Sequence, residues 1–211
     1  LRQYQEKTKY LANLGQVAAG LAHEIRNPLT FMRSGIQHLT DVYEYKNKDR
    51  ELADCLLSEM DRINLHIEEL LTLGRVHKEK SVSIDFGSLV AKALKIIESL
   101  VNEKNIKLVS NLPFNHAGIL GDENLLLRLI LNLVTNGIEA MRGGGVLTIT
   151  CSNNSDQVIL EVKDSGSGID PAVVDRLFDP FFTTKEAGTG LGLAICYNVA
   201  EAHGGTVFLD R

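Results

Sequence analysis

Asp164-Ser165-Gly166-Ser167-Gly168-Ile169 closes one alternating apolar run, and Gly188-Thr189-Gly190-Leu191-Gly192-Leu193 opens a helical one. Glycine lets a backbone approach a ligand closely, and the N–H groups at a helix N-terminus are a natural cradle for phosphate. One such loop reads equally well as a turn. Two of them, one ending a strand and one starting a helix, with residues 170–187 between, point to a nucleotide. No GxGxxG opens a βαβ unit with an acidic residue after the next strand, which excludes a dinucleotide fold of that kind. No Gly-Lys-Ser/Thr follows a glycine run, which excludes a P-loop.

Asn132-Leu133-Val134-Thr135-Asn136 lies inside an otherwise apolar helical stretch from Asn124 to Met141. Asparagines four apart share one helix face, and asparagine is a poor choice for a buried helix. Their alternative reading is a pair of solvated polar positions. Their carbonyl oxygens suit Mg²⁺, a hard cation that shares its shell with phosphates and water.

The surrounding pattern mixes helices and strands. Phe86 to Asn102 and Asn124 to Met141 read as helices; Ile106 to Asn111, Gly145 to Ser152 and Gln157 to Asp164 read as strands, the last two a hairpin. A further helix runs from Leu191 to His203, and a strand begins over Thr206 to Leu209. This is an α+β arrangement, helices on one face of a mixed sheet. Residues 75–83 lose apolar periodicity and read as a linker, dividing the chain into 1–78 and 79–211.

Before that linker the pattern is helical. Leu11, Leu14, Ala18, Leu21, Ile25 and Leu29 recur at spacings of three and four, as do Leu52, Leu56, Met60, Ile63 and Ile67. The polar stretch from Tyr43 to Arg50 reads as the turn between them. Two stripes joined by a short connection make an αα-hairpin, which is half a core. Its simplest cover is the same hairpin from a second chain, giving a four-helix bundle homodimer.

The net charge of −5 over 211 residues offers no basic face to nucleic acid. The three cysteines, Cys55, Cys151 and Cys196, form no CxxC pair and read as buried thiols in a reducing cytosol. No apolar run reaches membrane-span length, and the first residue is Leu1. The chain therefore reads as a cytoplasmic fragment of a longer protein, whose other segments could anchor it to a membrane.

Of six histidines, His23 is set apart by its neighbours. It follows Leu21 by two positions, roughly 200° around a helix, and so faces away from the apolar seam. Glu24 could orient its imidazole or take its proton, leaving the other ring nitrogen as a nucleophile. Pro28 cannot donate to the carbonyl of Glu24, so the helix should bend one turn past His23. His203, before Gly204-Gly205, reads as a helix C-terminal residue.

Taken in order, these motifs resemble those of the sensor histidine kinases. His23-Glu24-Ile25-Arg26-Asn27-Pro28-Leu29 looks like the H box, Asn132 to Asn136 the N box, Asp164 to Gly168 the G1 box, Asp179-Pro180-Phe181-Phe182-Thr183-Thr184-Lys185 the F box, and Gly188 to Gly192 the G2 box. The H and F boxes look most like those of the sporulation kinases of spore-forming bacteria.

The resemblance implies a dimeric phosphoacceptor hairpin followed by an α/β-sandwich ATP-binding domain of the histidine kinase, gyrase and chaperone type. ATP would phosphorylate His23, and the phosphoryl group would pass to an aspartate of a response regulator receiver domain, in a two-component pathway or phosphorelay. Asp164 would accept from the adenine amino group. Asn136 would hold Mg²⁺, with Asn132 on the same face. Gly166, Gly168, Gly188, Thr189, Gly190, Leu191 and Gly192 would line the nucleotide, with the 188, 190 and 192 N–H groups on phosphate. Residues 170–187 would form a mobile lid, and Lys185 would reach the γ-phosphate unless it is a solvated lysine. Asn27 would position water for dephosphorylating the regulator, and a small inhibitor protein could bind the hairpin.

Two departures qualify this. Glu139 stands where many members carry a base, and the chain ends at Arg211 before the family's closing strand. Two other readings stay open: an ATP-driven clamp like the chaperone and topoisomerase relatives, which use a glutamate where Asn132 stands, and a nucleotide-binding scaffold that mainly dephosphorylates its partner.

Overall fold

A computed structural model describes residues 22, 25–40, 47–74, 82–112, 118–153, 157–185 and 188–210. The chain divides into two compact units, Leu1–Val76 and His77–Arg211.

In the first unit, α1 covers the helical residues 25–40 and α2 spans Asn47–Gly74. The apolar stripes meet as expected: Leu29 of α1 packs with Met60, Ile67 and Leu71 of α2 and with Ala22, flanked by Ile36 and Ile63. Arg26 pairs with Glu68, and Arg33 with Asp61, which fixes the helices antiparallel. These pairs are half exposed, so register rather than stability is their main contribution. α2 starts at Asn47, so the expected turn to Arg50 is shorter than its polarity suggested; Asn47 to Arg50 are already helical. The helix runs through Pro28 without interruption. His23, Glu24 and the carbonyl expected to be lost at Pro28 lie outside the described residues.

In the second unit, β1 (Val82–Asp85) leads into α3 (Phe86–Glu103), β2 (Ile106–Asn111), β3 (Gly118–Gly121) and α4 (Glu123–Ala140). There follow β4 (Gly145–Asn153), β5 (Val158–Asp164), a 3₁₀ turn (Pro171–Arg176) and α5 (Gly192–Ala202). Aspartates start two helices. Asp85 accepts from the Ser88 N–H at 3.3 Å, and Asp122 accepts from Asn124 and Leu125 at 2.8 and 3.2 Å, satisfying first-turn donors that have no partner within the helix.

β2, β4 and β5 form a mixed sheet, with β2 parallel to β4 and β4 antiparallel to β5, Leu147 facing Asp164. Alternate residues of β4 (Leu147, Ile149, Cys151) are buried under the helices. Ile130, Val134 and Ile138 of α4 and Ile195 and Val199 of α5 complete that layer, all at 0% exposure. The sheet with helices on one face is the arrangement the sequence implied.

Two differences concern short strands. β1 and β3 pair antiparallel, Val82 opposite Gly121, so the end of the expected linker is a strand. Conversely, Thr206 to Leu209 forms no strand. Its alternation is genuine, but no described strand pairs with it, and Phe208 stands 73% exposed. No helix among the described residues is long and apolar enough to cross a membrane.

Candidate functional site

α4 collects the motifs. Asn132 and Asn136 are half-buried on one face of it. The Asn132 side-chain amide donates to the Gly192 carbonyl oxygen at 3.2 Å, tying α4 to the first residue of α5. A Cβ on Gly192 would sit 3.8 Å from Asn132 Cγ and 3.9 Å from Asn136 Nδ2, so the start of α5 lies against both asparagines. The cap residue of α5, Leu191, makes no side-chain cap bond. Its N–H instead donates to Thr189 Oγ1 at 3.3 Å. The helix N-terminus thus offers its first-turn N–H groups without a competing cap.

At the other end of α4 stands the first glycine loop. Asp164 ends β5, and its Oδ1 accepts from the Gly166 N–H at 2.8 Å. The turn-forming role of this carboxylate is therefore present, and it uses one oxygen. Gly168 has φ 74° and open space where a side chain would point. Between the asparagines and Asp164 lies Gly137, where a Cβ would fall 2.9 Å from Leu147 Cδ1 and 3.8 Å from Asp164 Oδ2. A Cβ there would have to displace the tip of the Leu147 side chain and would stand in contact with the carboxylate. Sequence reasoning passed over Gly137; its signal is a glycine in the interior of an apolar helix, which costs about 1 kcal/mol relative to alanine.

The segment before α5 reaches back over this face. Gly190 has φ 69°, and a Cβ on it would lie 2.4 Å from the Phe181 carbonyl carbon. Arg176 stacks on the Phe182 ring at 4.4 Å. Gly188 donates its N–H to the Lys185 carbonyl at 3.3 Å. The Lys185 ammonium donates to Asn136 Oδ1 at 2.8 Å and to Glu139 Oε2 at 2.5 Å. Lys185 is therefore paired rather than solvated.

No group of three or more His, Cys, Asp or Glu able to hold a metal occurs among the described residues. The oxygen donors that converge are Asn136 and Glu139. Behind them, burial pushes the Cys196 thiol up to about 12, against smaller opposing effects of hydrogen bonds from Asn132 and the backbone. Its Sγ donates to the Leu129 carbonyl at 3.6 Å, so this cysteine is inert packing. Asn27 is helical and exposed on α1.

Residues 13–79 match the His Kinase A (phospho-acceptor) domain, and residues 121–211 match the histidine kinase-, DNA gyrase B- and HSP90-like ATPase family. The chain belongs to the sensor histidine kinases. It is 34% identical to the sensor histidine kinase ZraS of Escherichia coli (strain K12) over 98% of this chain and 44% of the relative. It is 35% identical to sporulation kinase A of Bacillus subtilis (strain 168) over 97% of this chain and 33% of the relative. The chain thus spans less than half the length of these curated kinases.

Among solved structures, full-length ShkA in complex with AMPPNP matches with a TM-score of 0.76 at 25% identity, covering 90% of this chain and 41% of ShkA. Histidine kinase ThkA in complex with response regulator protein TrrA matches with a TM-score of 0.64, covering all of this chain and 63% of ThkA. At 24% identity that second likeness concerns the fold alone. The histidine kinase family thus accounts for the hairpin and for the sheet-and-helix unit.

Proposed function

We propose that this chain is a protein histidine kinase core that moves the γ-phosphoryl group of ATP to His23 and then to an aspartate of a response regulator. The convergence of three separate motifs on α4 carries this reading: Asn132 and Asn136 on its face, the Asp164 turn at its C-terminal end, and the uncapped start of α5 against the asparagines.

Each residue then has a task. Asp164 keeps Oδ1 on the Gly166 N–H and offers Oδ2 to the adenine amino group, in the space that Gly137 leaves. Gly166 and Gly168 carry the chain past the base. The N–H groups of Gly188, Gly190 and Gly192 hold the phosphates, that of Gly188 leaving the Lys185 carbonyl to do so, while Thr189 and Leu191 line the nucleotide. Lys185 turns to the γ-phosphate when nucleotide binds.

The donors also fit Mg²⁺. Two hard oxygens, Asn136 Oδ1 and Glu139 Oε2, already surround the positive charge of Lys185. When bound, the ion neutralises phosphate charge. His23 acts as nucleophile with Glu24 orienting its imidazole, and fixed N–H groups receive the charge that develops on the transferred group.

Exposed apolar residues on the hairpin, Leu52 and Leu56 among them, support a homodimer through a second hairpin. Asn27, exposed on α1 and close after His23 in sequence, supports a water-positioning role in dephosphorylating the regulator. Identities of 34% and 35% to ZraS and sporulation kinase A favour neither pathway, so a sporulation phosphorelay is one setting for this core rather than its defining one.

Incubation of the chain with γ-labelled ATP and Mg²⁺ tests the reading. Acid-labile, base-stable label that disappears in His23→Gln is the expected result. Free phosphate without labelled protein would overturn it in favour of an ATP-driven clamp.

A further inference from the structure

The Lys185 ammonium is held by two oxygens one helical turn apart on α4. We propose that Asn136 and Glu139 form a seat for the divalent cation that accompanies the nucleotide, and that Lys185 is a tethered occupant displaced when that cation arrives. The inference rests on the reading of this face of α4 as the nucleotide side.

Three observations carry it. First, a single nitrogen reaches Asn136 Oδ1 at 2.8 Å and Glu139 Oε2 at 2.5 Å, so both oxygens already point at one cation-sized position. A neutral amide oxygen and a carboxylate are donors that Mg²⁺ or Mn²⁺ accepts readily. Two positive charges cannot share that position, so lysine and metal must exclude one another.

Second, the lysine is free to leave without moving its backbone. The Lys185 N–H donates to Thr183 Oγ1 at 3.1 Å, and the Gly190 loop is packed on the Phe181–Phe182 backbone, which fixes the base of the lid. The ammonium sits at the end of a flexible four-carbon stem. Third, the Lys185 and Glu139 side chains are 41% and 49% exposed, so a hydrated cation reaches the seat from solvent.

Glu139 thereby becomes a direct ligand of the metal, and Lys185 gains a task in the nucleotide-free chain. It neutralises the seat until the cation arrives and is then released toward the phosphates. Exchange of one cation for another needs no unfolding and no lid opening.

The test uses the whole chain, Mn²⁺ as probe and ADP, which lacks the γ-phosphate that Lys185 would otherwise contact. Free Mn²⁺ is read by electron paramagnetic resonance, and fluorescent ADP binding in excess chelator reads the pocket separately. Lys185→Met should tighten Mn²⁺ severalfold, Lys185→Arg should behave as wild type, and Glu139→Gln should weaken Mn²⁺ about tenfold. Tryptic cleavage after Lys185 should quicken in the wild type when Mn²⁺ and ADP are both present.

Unchanged or weakened Mn²⁺ binding in Lys185→Met, or unchanged binding in Glu139→Gln, overturns the seat while nucleotide still binds in chelator. Loss of nucleotide binding by the wild type under both conditions overturns the nucleotide reading as well.

Discussion

The side chain of Asn132 bonds to the carbonyl oxygen of Gly192 across 3.2 Å, so the helix carrying both asparagines also fixes where α5 begins. Under the proposed function the asparagine pair divides its work: Asn132 would position the phosphate-binding helix start, and Asn136 would face the cation. Asn132→Ala should weaken nucleotide about fivefold, the size of one net hydrogen bond of about 1 kcal/mol. The dependence on Mn²⁺ concentration should stay as in wild type. Fluorescent nucleotide titrations at several Mn²⁺ concentrations check both parts; a changed metal dependence would place Asn132 in the seat.

Gly190 and Gly168 both have positive φ, 69° and 74°, but only Gly190 is pressed on other backbone. Gly168→Ala should cost the backbone term alone, about 1–2 kcal/mol. Gly190→Ala adds an overlap with the Phe181 carbonyl carbon and should displace the loop before α5. Nucleotide affinity should therefore fall much further in Gly190→Ala, with far-UV circular dichroism unchanged in both. Equal losses would show that the Phe181 contact yields easily.

Long periodic segments were legible, and short or side-chain-made features were not. α3 and α4 were readable to within a residue or two because each carries several turns of apolar repeat starting from an aspartate cap. The β1–β3 ribbon escaped because each strand has four residues, too few for alternation to stand out. Thr206 to Leu209 shows the converse: alternation specifies a strand only when a neighbour supplies the ladder. In the site, the glycine loops and asparagines could be read because each tolerates few substitutes. The Lys185–Glu139 pair could not, since it joins residues 46 apart through flexible side chains.

His203 lies on the helix C-terminus, as its place before Gly204-Gly205 implied, and it also joins two elements. Its Nδ1 faces the Val199 carbonyl at 2.6 Å, while Nε2 accepts from the Asp122 N–H at 3.0 Å. Gly121 makes room for the ring: a Cβ there would fall 2.4 Å from His203 Cδ2. His203→Ala leaves the Asp122 N–H without its partner and should destabilise the second unit by about 1–3 kcal/mol. Urea unfolding measures this; a change below about 0.5 kcal/mol would mean that water replaces the ring.

Cys196 links burial to alkaline stability. Its thiol is pushed up to about 12 by burial, and Cys151 is raised by burial and then by the charge of Asp85. In the unfolded chain a thiol ionises near 8.5. The folded state therefore holds these protons more tightly, so their contribution is intact below about pH 8.5 and is lost as pH rises toward 12. Cys196→Ala should show a shallower loss of stability than wild type between about pH 9 and 11, whatever cavity cost it carries at neutral pH. Parallel alkaline limbs would mean that Cys196 ionises without unfolding its surroundings.

The hairpin supplies the last prediction. Leu29, Met60, Ile67 and Leu71 satisfy one side of the two stripes, yet Leu52 and Leu56 remain 60% and 45% exposed on α2. They lie one turn apart, so they form a continuous apolar ridge rather than two scattered residues. Burying such a leucine against a second hairpin contributes about 1.5–3 kcal/mol, enough for a pair of them to decide whether chains associate. Leu52→Lys with Leu56→Lys should convert the proposed dimer to monomer in sedimentation equilibrium while α2 stays helical, because lysine is a good helix former. Nucleotide binding, assigned to the second unit, should be unaffected. A variant that remains dimeric would place the dimer contact on another face of the hairpin.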